Sequence, residues 1–241
     1  NRHAIREFVE KMEGLDDPDP DDVDGPLDEF QWELRLRESD ALTERYAALL
    51  DEHRDNPDCE RIVAHEMGWH WVDDALDAEE RGAFAPGDSD LAPVEFPVLE
   101  PNPDSEGRDW IRTVEGRIKH PIAYRAHVTS SRLWRYLRSQ RVLNGDEADH
   151  FHLLVSETRA LSSKLAGALD GLAYHDVPDH GFVIAYLKRS LKHLEAAVGA
   201  TIEVQEDPRL QSERIRRFRT ELFRVREDML SLMNLYRDEL G

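Results

Sequence analysis

The stretch IRRFRTELFRVREDMLSLMNLY (215–236) decides the fold, because its apolar residues recur at every third or fourth position. These apolar residues are Ile215, Phe218, Leu222, Val225, Met229, Leu232 and Tyr236. This spacing places them on one face of a single helix. We predict that this face packs into the core of a helical protein, or forms a coiled-coil seam with a second chain.

The same periodicity extends toward the N-terminus. It predicts further helices over 27–53, 59–76, 109–140 with a kink at Pro121, 145–174 and 178–200, while the last helix spans 208–240. The connections near 142–146, 175–179 and 201–208 are short enough to make successive helices antiparallel neighbours. Strand signals are weak, and the strongest is at 201–204. We therefore predict an all-α fold, an antiparallel helical bundle with additional N-terminal helices.

Two acidic, proline-rich stretches punctuate this helical pattern. They are LDDPDPDDVDGPLD (15–28) and FAPGDSDLAPVEFPVLEPNPDSEG (84–107), and both have the composition of loops or linkers. We accordingly expect an N-terminal helical region over 1–84, a proline-rich linker over 85–105 and the antiparallel bundle over 106–241.

The charge balance restricts the partners of the protein. Asp and Glu total 51 against 31 Lys and Arg, which gives a formal net charge of −20. Such a charge repels phosphate backbones and anionic lipid, so we predict no nucleic-acid partner and no membrane partner. Abundant acid with little lysine is typical of adaptation to concentrated salt, but also of an ordinary acidic surface.

Three features predict a cytoplasmic protein. No apolar run approaches the ~18 residues that a membrane span needs. The first residues are polar and have helical spacing, unlike a signal peptide. Cys59 is the only cysteine, so no internal disulfide can form, and this favours a reducing compartment.

The stretch CERIVAHEMGWHWVDDAL (59–76) combines an apolar helical pattern with groups that can bind metal. If it forms one helix, four polar residues share a narrow arc: Cys59, Glu66, His70 and Asp73. Glu66 and His70 are four residues apart, so both can reach one cation or act as a general base with its orienting partner. HEMGWH is not the HExxH motif of zinc peptidases, because its histidines are five residues apart.

Glu66 and His70 also have a structural interpretation. In a helix interface they can hydrogen-bond each other or a neighbouring arginine, which we expect beside Glu66. We prefer this structural interpretation, and we retain Glu66 and His70 as the candidate metal ligands.

Two other groups of residues resemble metal or catalytic sites less closely. Glu147 and His150 form a Glu-x-x-His pattern followed by Glu157, which is half of what a di-metal carboxylate bundle uses. A second Glu-x-x-His is absent and the final helix offers no inward ligand, so a di-metal centre is disfavoured. His127, Glu157 and His193 are expected at similar heights in the bundle, but His193 lies off the apolar face, so no three-residue site is predicted.

The remaining sequence favours binding over catalysis. Phosphate-binding loops, dinucleotide fingerprints, nucleophile elbows and Cys-x-x-Cys motifs are all absent from it. The arginines of 209–228 scatter around their helix among glutamates, which is typical of a solvated face. Our hypothesis is a non-enzymatic helical-bundle protein that acts through protein–protein contact or self-association and uses no cofactor. The alternative is a metal-dependent or acid–base enzyme centred on Glu66 and His70.

Overall fold

The computed structural model describes residues 27–80, 99–143, 149–174 and 179–240, and here the predicted all-α bundle is confirmed. The helices are α1 (Glu29–Glu52), α2 (Cys59–Met67), α3 (His70–Glu80), α4 (Pro121–Ser139), α5 (Asp149–Leu169), α6 (His180–Glu203) and α7 (Ser212–Leu240). Short 3₁₀ helices occupy Pro103–Ser105 and Asp170–Tyr174, and a small antiparallel hairpin pairs β1 (Ile111–Arg112) with β2 (Ile118–Lys119). Among these residues, no helix has both the length and the apolar character needed to span a membrane.

The described residues group into two compact units. One contains residues 34–80, and the other contains residues 27–33 together with 99–240. Residues 27–33, which the sequence places in the N-terminal region, thus belong to the same unit as the bundle. Most of the predicted linker, residues 85–98, lies outside the described residues.

The second unit is built on a four-helix bundle in which α4 contacts α5, α5 contacts α6, and α7 contacts both α6 and α4. Arg125, near the start of α4, pairs with Asp228 in the second half of α7. Tyr136, near the end of α4, contacts Gln211 just before α7 begins. These two helices are therefore antiparallel, as the short connections predict.

The apolar seam of α7 packs into the core of its own bundle. Its buried residues are Ile215, Leu222, Val225, Met229, Met233 and Tyr236. They meet fully buried leucines of the other helices, such as Leu133 in α4, Leu165 in α5 and Leu187 in α6. Each such leucine contributes about 1.5–3 kcal/mol relative to exposure, so the seam is a main source of stability.

The predicted helix over 109–140 is wrong in its first third. Residues 111–119 form the hairpin instead, and its turn contains Gly116 in the left-handed region at φ 81°. Helix α4 then begins at Pro121, whose fixed φ and missing N–H suit a first helical position. The imidazole Nδ1 of His120 caps this helix by accepting a hydrogen bond from the N–H of Ile122 at 3.2 Å.

The predicted connection at 201–208, which contains the strongest strand signal, begins later than expected, because α6 continues through Glu203. Thr201 is fully buried there, and its hydroxyl donates a hydrogen bond to the carbonyl of Val198 at 2.6 Å. The side chain of Arg219 on α7 donates to the Thr201 hydroxyl at 2.9 Å. These contacts hold the last turn of α6 in the bundle, so tertiary packing overrides the local strand preference.

The single helix predicted over 59–76 is two helices. Helix α2 ends at Met67, and Gly68 follows in the left-handed conformation at φ 73°. The N–H groups of Gly68 and Trp69 donate to the carbonyls of His65 and Ala64, which caps α2. A glycine in this conformation is the usual end of a helix, so the chain turns before α3 begins at His70.

The first residues of α1 dock on α6 and α7. Trp32 meets the ring of Phe182 edge to face, with ring centroids 5.1 Å apart. The carboxylate of Glu29 lies 3.1 Å from the Nζ of Lys188 and 3.1 Å from a guanidinium nitrogen of Arg237. Aromatic packing and ion pairs thus hold this segment on the bundle.

Candidate functional site

Glu66 and His70 do not share a helix. Glu66 lies in the last turn of α2, His70 is the first residue of α3, and both are exposed. The left-handed Gly68 between them removes the one-turn relationship on which the predicted site depended. Arg45 approaches Glu66 as an arginine was expected to, but its guanidinium donates to the backbone carbonyl of Glu66 at 2.5 Å.

The other residues considered as ligands from the sequence give no metal cluster among the described residues. Within residues 27–80, 99–143, 149–174 and 179–240, no three His, Cys, Asp or Glu side chains are grouped so as to hold a metal ion. Cys59 is half-buried at the start of α2, while Glu147 and the side chain of Asp73 lie outside the described residues.

His193 and Glu157 do come together, with Nδ1 and Oε2 2.7 Å apart. The pair joins α6 to α5 and is part-buried. His127, the third residue of that predicted layer, is exposed on α4 and lines a separate cavity. His150 is exposed in the first turn of α5. His193 and Glu157 therefore form a polar contact between two helices.

The predictions from sequence did not identify a strongly basic run. Residues 111–143 contain eight Lys and Arg but a single acid, Glu115, so their net charge is +7 in a chain of −20. The basic residues are Arg112, Arg117, Lys119, Arg125, Arg132, Arg135, Arg138 and Arg141. Net charge counted in a sliding window would have revealed this run, whereas the totals for the whole chain conceal it.

Three arginines of the basic run line a groove between α4 and the first turns of α7, which we call the arginine groove. Its volume is about 1050 Å³. Arginines project into it from both helices: Arg125, Arg132 and Arg135 from α4, and Arg214 and Arg217 from α7. Apolar side chains that include Tyr124, Val128, Tyr136 and Phe218 complete the lining.

Some arginines of the groove are neutralised by acids of the bundle. Arg125 pairs with Asp228, and the Nε of Arg217 lies 3.3 Å from a carboxylate oxygen of Glu213. Three others, Arg132, Arg135 and Arg214, make no ion pair with any carboxylate of the described residues. These guanidinium groups provide positive charge that a ligand can use.

Arg135 and Arg214 are held in place by uncharged groups. The Nε of Arg135 donates to the carbonyl of Ser131 at 3.2 Å. The guanidinium of Arg214 lies 4.4 Å from the ring centroid of Tyr136, a cation–π contact that leaves its N–H donors available. The hydroxyl of Tyr136 accepts a hydrogen bond from the N–H of Gln211 at 2.8 Å, which fixes the start of α7 beside α4.

A second cavity of about 590 Å³ lies on the other side of α4, between the hairpin, α4 and α5. We call it the hairpin cavity. Its polar lining includes Arg117, His127 and three hydroxyls, those of Thr113, Ser131 and Ser162. Glu115 also lines this cavity, and its pKa is below the usual range. The main cause is hydrogen bonding, because its carboxylate accepts from its own N–H and from the Thr113 hydroxyl. The nearby Arg117 and His127 lower the pKa further.

Two buried titratable groups of the bundle remain uncharged near neutral pH. Burial lowers the pKa of His120 to about 4, against the opposing effect of Asp109 and Asp170. Burial also raises the pKa of Tyr236 to about 12, helped by Asp109 and Glu239. Neither is poised for proton transfer at pH 7, since an efficient general acid or base has a pKa near the working pH.

The chain matches no protein-family model, no curated protein and no solved structure.

Proposed function

We propose that this protein binds an acidic segment of a partner protein along the arginine groove. The observation that carries the proposal is the presence of Arg132, Arg135 and Arg214, without carboxylate partners among the described residues, in one groove of a chain with net charge −20. Guanidinium groups bind carboxylates through paired N–H donors, and these three are exposed.

The dimensions of the groove favour an extended segment over a small molecule. Its α4 wall runs from Pro121 to Ser139, about 28 Å at ~1.5 Å per residue. An extended peptide of about eight residues has this length at ~3.3 Å per residue. The arginines are spread along the wall, whereas a small-molecule site concentrates its polar groups around one position.

The charges favour an acidic protein segment over nucleic acid. Three acids, Glu213, Glu221 and Asp228, stand in or beside the groove and interrupt its positive charge, which disfavours a backbone that carries a phosphate at every nucleotide. The net charge of −20 also opposes the approach of a long polyanion, whereas a short peptide interacts mainly within a Debye length of ~8–10 Å. The aromatic rings of Tyr124 and Phe218 further suit a segment that carries apolar side chains.

The proposal is tested by fluorescence anisotropy with a labelled oligo-glutamate peptide and an unlabelled single-stranded oligonucleotide as competitor. Arg132→Glu and Arg214→Glu are each expected to weaken peptide binding at least about tenfold, because a charge-assisted contact becomes a repulsion. Lys192→Glu is the matched control, since Lys192 is an exposed cation on α6 that does not line the groove. It should bind like the parent.

Three results would overturn the proposal. They are absence of peptide binding at low salt, equal weakening in the Lys192→Glu control, and an oligonucleotide affinity above that of the peptide. Circular dichroism of each variant confirms that the helices survive, so lost binding is not mistaken for lost fold.

A second candidate function is self-association through α1. Three large apolar side chains of this helix, all within residues 34–80, are exposed: Leu34 by 60%, Leu42 by 52% and Tyr46 by 36%. A helix face with several exposed apolar residues is typical of a surface that another copy covers. Sedimentation velocity tests this candidate, because Leu34→Glu and Leu42→Glu should abolish any dimer, and a monomeric parent would refute it.

A further inference from the structure

The hairpin cavity and the arginine groove share one wall. Four residues of α4 line both of them: Tyr124, Val128, Arg132 and Arg135. The two cavities are nevertheless chemically different. The groove has an aromatic lining and interspersed acids, whereas the hairpin cavity is surrounded by cations and hydroxyls with one acid, Glu115.

We propose that the hairpin cavity binds a phosphoryl group. Arg117, Arg132 and Arg135 supply guanidinium donors, and Ser131 and Ser162 supply hydroxyl donors, whereas the Thr113 hydroxyl is committed to Glu115. A tetrahedral dianion with three strong acceptor oxygens matches such a set, because each oxygen can accept from a different donor. Lys119 also lines the cavity, but its Nζ is committed to Asp170 at 2.5 Å.

The enclosure of the cavity suits a compact group. Thr113 and Ser162 are each only 9% exposed, so they form its floor, while Arg117 and His127 at its edge are exposed. Its volume of about 590 Å³ exceeds that of a phosphate ion and leaves room for the group to which the phosphate is attached.

A carboxylate of the chain already uses part of this environment. Glu115 accepts a hydrogen bond from the Thr113 hydroxyl and is stabilised as an anion by Arg117 and His127. The surroundings therefore favour negative charge at this place. A bound phosphoryl group would be repelled by Glu115, so removal of this carboxylate should strengthen binding.

The phosphoryl group has two possible sources, a free phosphorylated metabolite or a phosphorylated side chain on the acidic segment of the proposed function. Because the two cavities adjoin along α4, one segment can lie in the groove and place its phosphate in the hairpin cavity. The site itself does not depend on the proposed function, since Arg117 lines only the hairpin cavity and Arg214 lines only the groove.

Isothermal titration calorimetry with inorganic phosphate, phosphoserine and oligo-glutamate peptides with or without one phosphoserine tests the site. Arg117→Gln is expected to weaken phosphate binding about tenfold, through loss of a charge-assisted contact. Glu115→Gln is expected to strengthen it about threefold, through loss of like-charge repulsion at an exposed position. Lys192→Gln, which alters an exposed cation on α6 outside both cavities, should leave phosphate binding within about twofold of the parent.

The results separate the two proposals and the two sources. Absence of phosphate binding in both the parent and Glu115→Gln overturns the site, as does equal weakening by Arg117→Gln and Lys192→Gln. Phosphate binding without oligo-glutamate binding retains the site and rejects the proposed function. A phosphopeptide that binds more tightly than phosphoserine and the unmodified peptide identifies a phosphorylated side chain, and equal affinity for phosphoserine identifies a free metabolite.

Discussion

The backbone carbonyl of Leu27 lies so close to Gly181 that a Cβ atom on Gly181 would be 2.1 Å from the carbonyl oxygen. Gly181 is buried in the first turn of α6, and the missing side chain lets the segment before α1 approach the helix backbone. The docking of residues 27–33 on the bundle therefore depends on this one glycine.

Gly181→Ala should destabilise the bundle and release residues 27–33. We expect a loss of about 1–3 kcal/mol in the free energy of unfolding, because the new methyl group meets backbone that cannot rotate away. Urea denaturation measures the loss, and hydrogen exchange of the amides in 27–33 reports the release. Gly199→Ala in the same helix is the control. It meets no atom within 4 Å and should stabilise the protein by up to about 1 kcal/mol. Equal stability of the two variants would contradict the close approach.

Stability should fall on acidification through His120. Its pKa is about 4 in the folded protein against an ordinary value of 6.5, so the unfolded chain takes up the proton first. The stability that neutral His120 contributes is complete above pH 6.5 and is lost as the pH falls from there toward 4. The loss amounts to about 3 kcal/mol at ~1.4 kcal/mol per pKa unit.

His120→Asn isolates this contribution from that of the carboxylates. Asparagine keeps a side-chain oxygen that can accept from the N–H of Ile122 but does not titrate. Urea denaturation at several pH values should show a smaller loss between pH 6.5 and 4 in the variant than in the parent. Parallel curves would exclude His120 as the cause.

Moderate salt should raise the melting temperature. The chain carries −20, and screening of the repulsion among its carboxylates stabilises the compact state. Differential scanning calorimetry from low salt to molar potassium chloride measures the effect. A melting temperature that declines steadily over this range would show that the lost attraction of ion pairs, such as those of Glu29, outweighs the relieved repulsion.

Glu66 and His70 should not hold a metal ion. Gly68 separates their helices, and two ligands without a third bind metal weakly. Elemental analysis of the purified protein should give no stoichiometric metal, and Glu66→Gln and His70→Ala should melt like the parent in the presence of zinc. Stoichiometric metal in the parent that both folded variants lose would reverse this interpretation.

The bundle could be predicted from sequence because its helices bury regular apolar faces. The seam from Ile215 to Tyr236 is the clearest example, since burial and helical periodicity agree there. The break at Gly68 was missed because glycine is tolerated inside helices, and its left-handed conformation is visible only in the structure. The hairpin was missed for a related reason, although Gly116 and Pro121 are the expected signals of a turn and a helix start.

The candidate site could be predicted only in part. The excess of arginine in 111–143 is visible in the sequence. The proximity of Arg132 on α4 to Arg214 on α7 is not, because it depends on how two helices distant in the chain pack together. The same packing decides which arginines have a carboxylate partner. Arg125 on α4, for example, pairs with Asp228 on α7.

Arg132 and Arg135 line both cavities. The affinity of one cavity for an anion would therefore depend on whether the other cavity is occupied. Two separate anions would have to divide the same guanidinium groups, so each would lower the affinity of the other, and by an identical factor in both directions. An occupant that carries both anionic parts in one molecule offsets this antagonism, because binding of one part raises the effective concentration of the other. Helix α4 would thus distinguish a ligand that spans its two sides from a mixture of ligands that each occupy one.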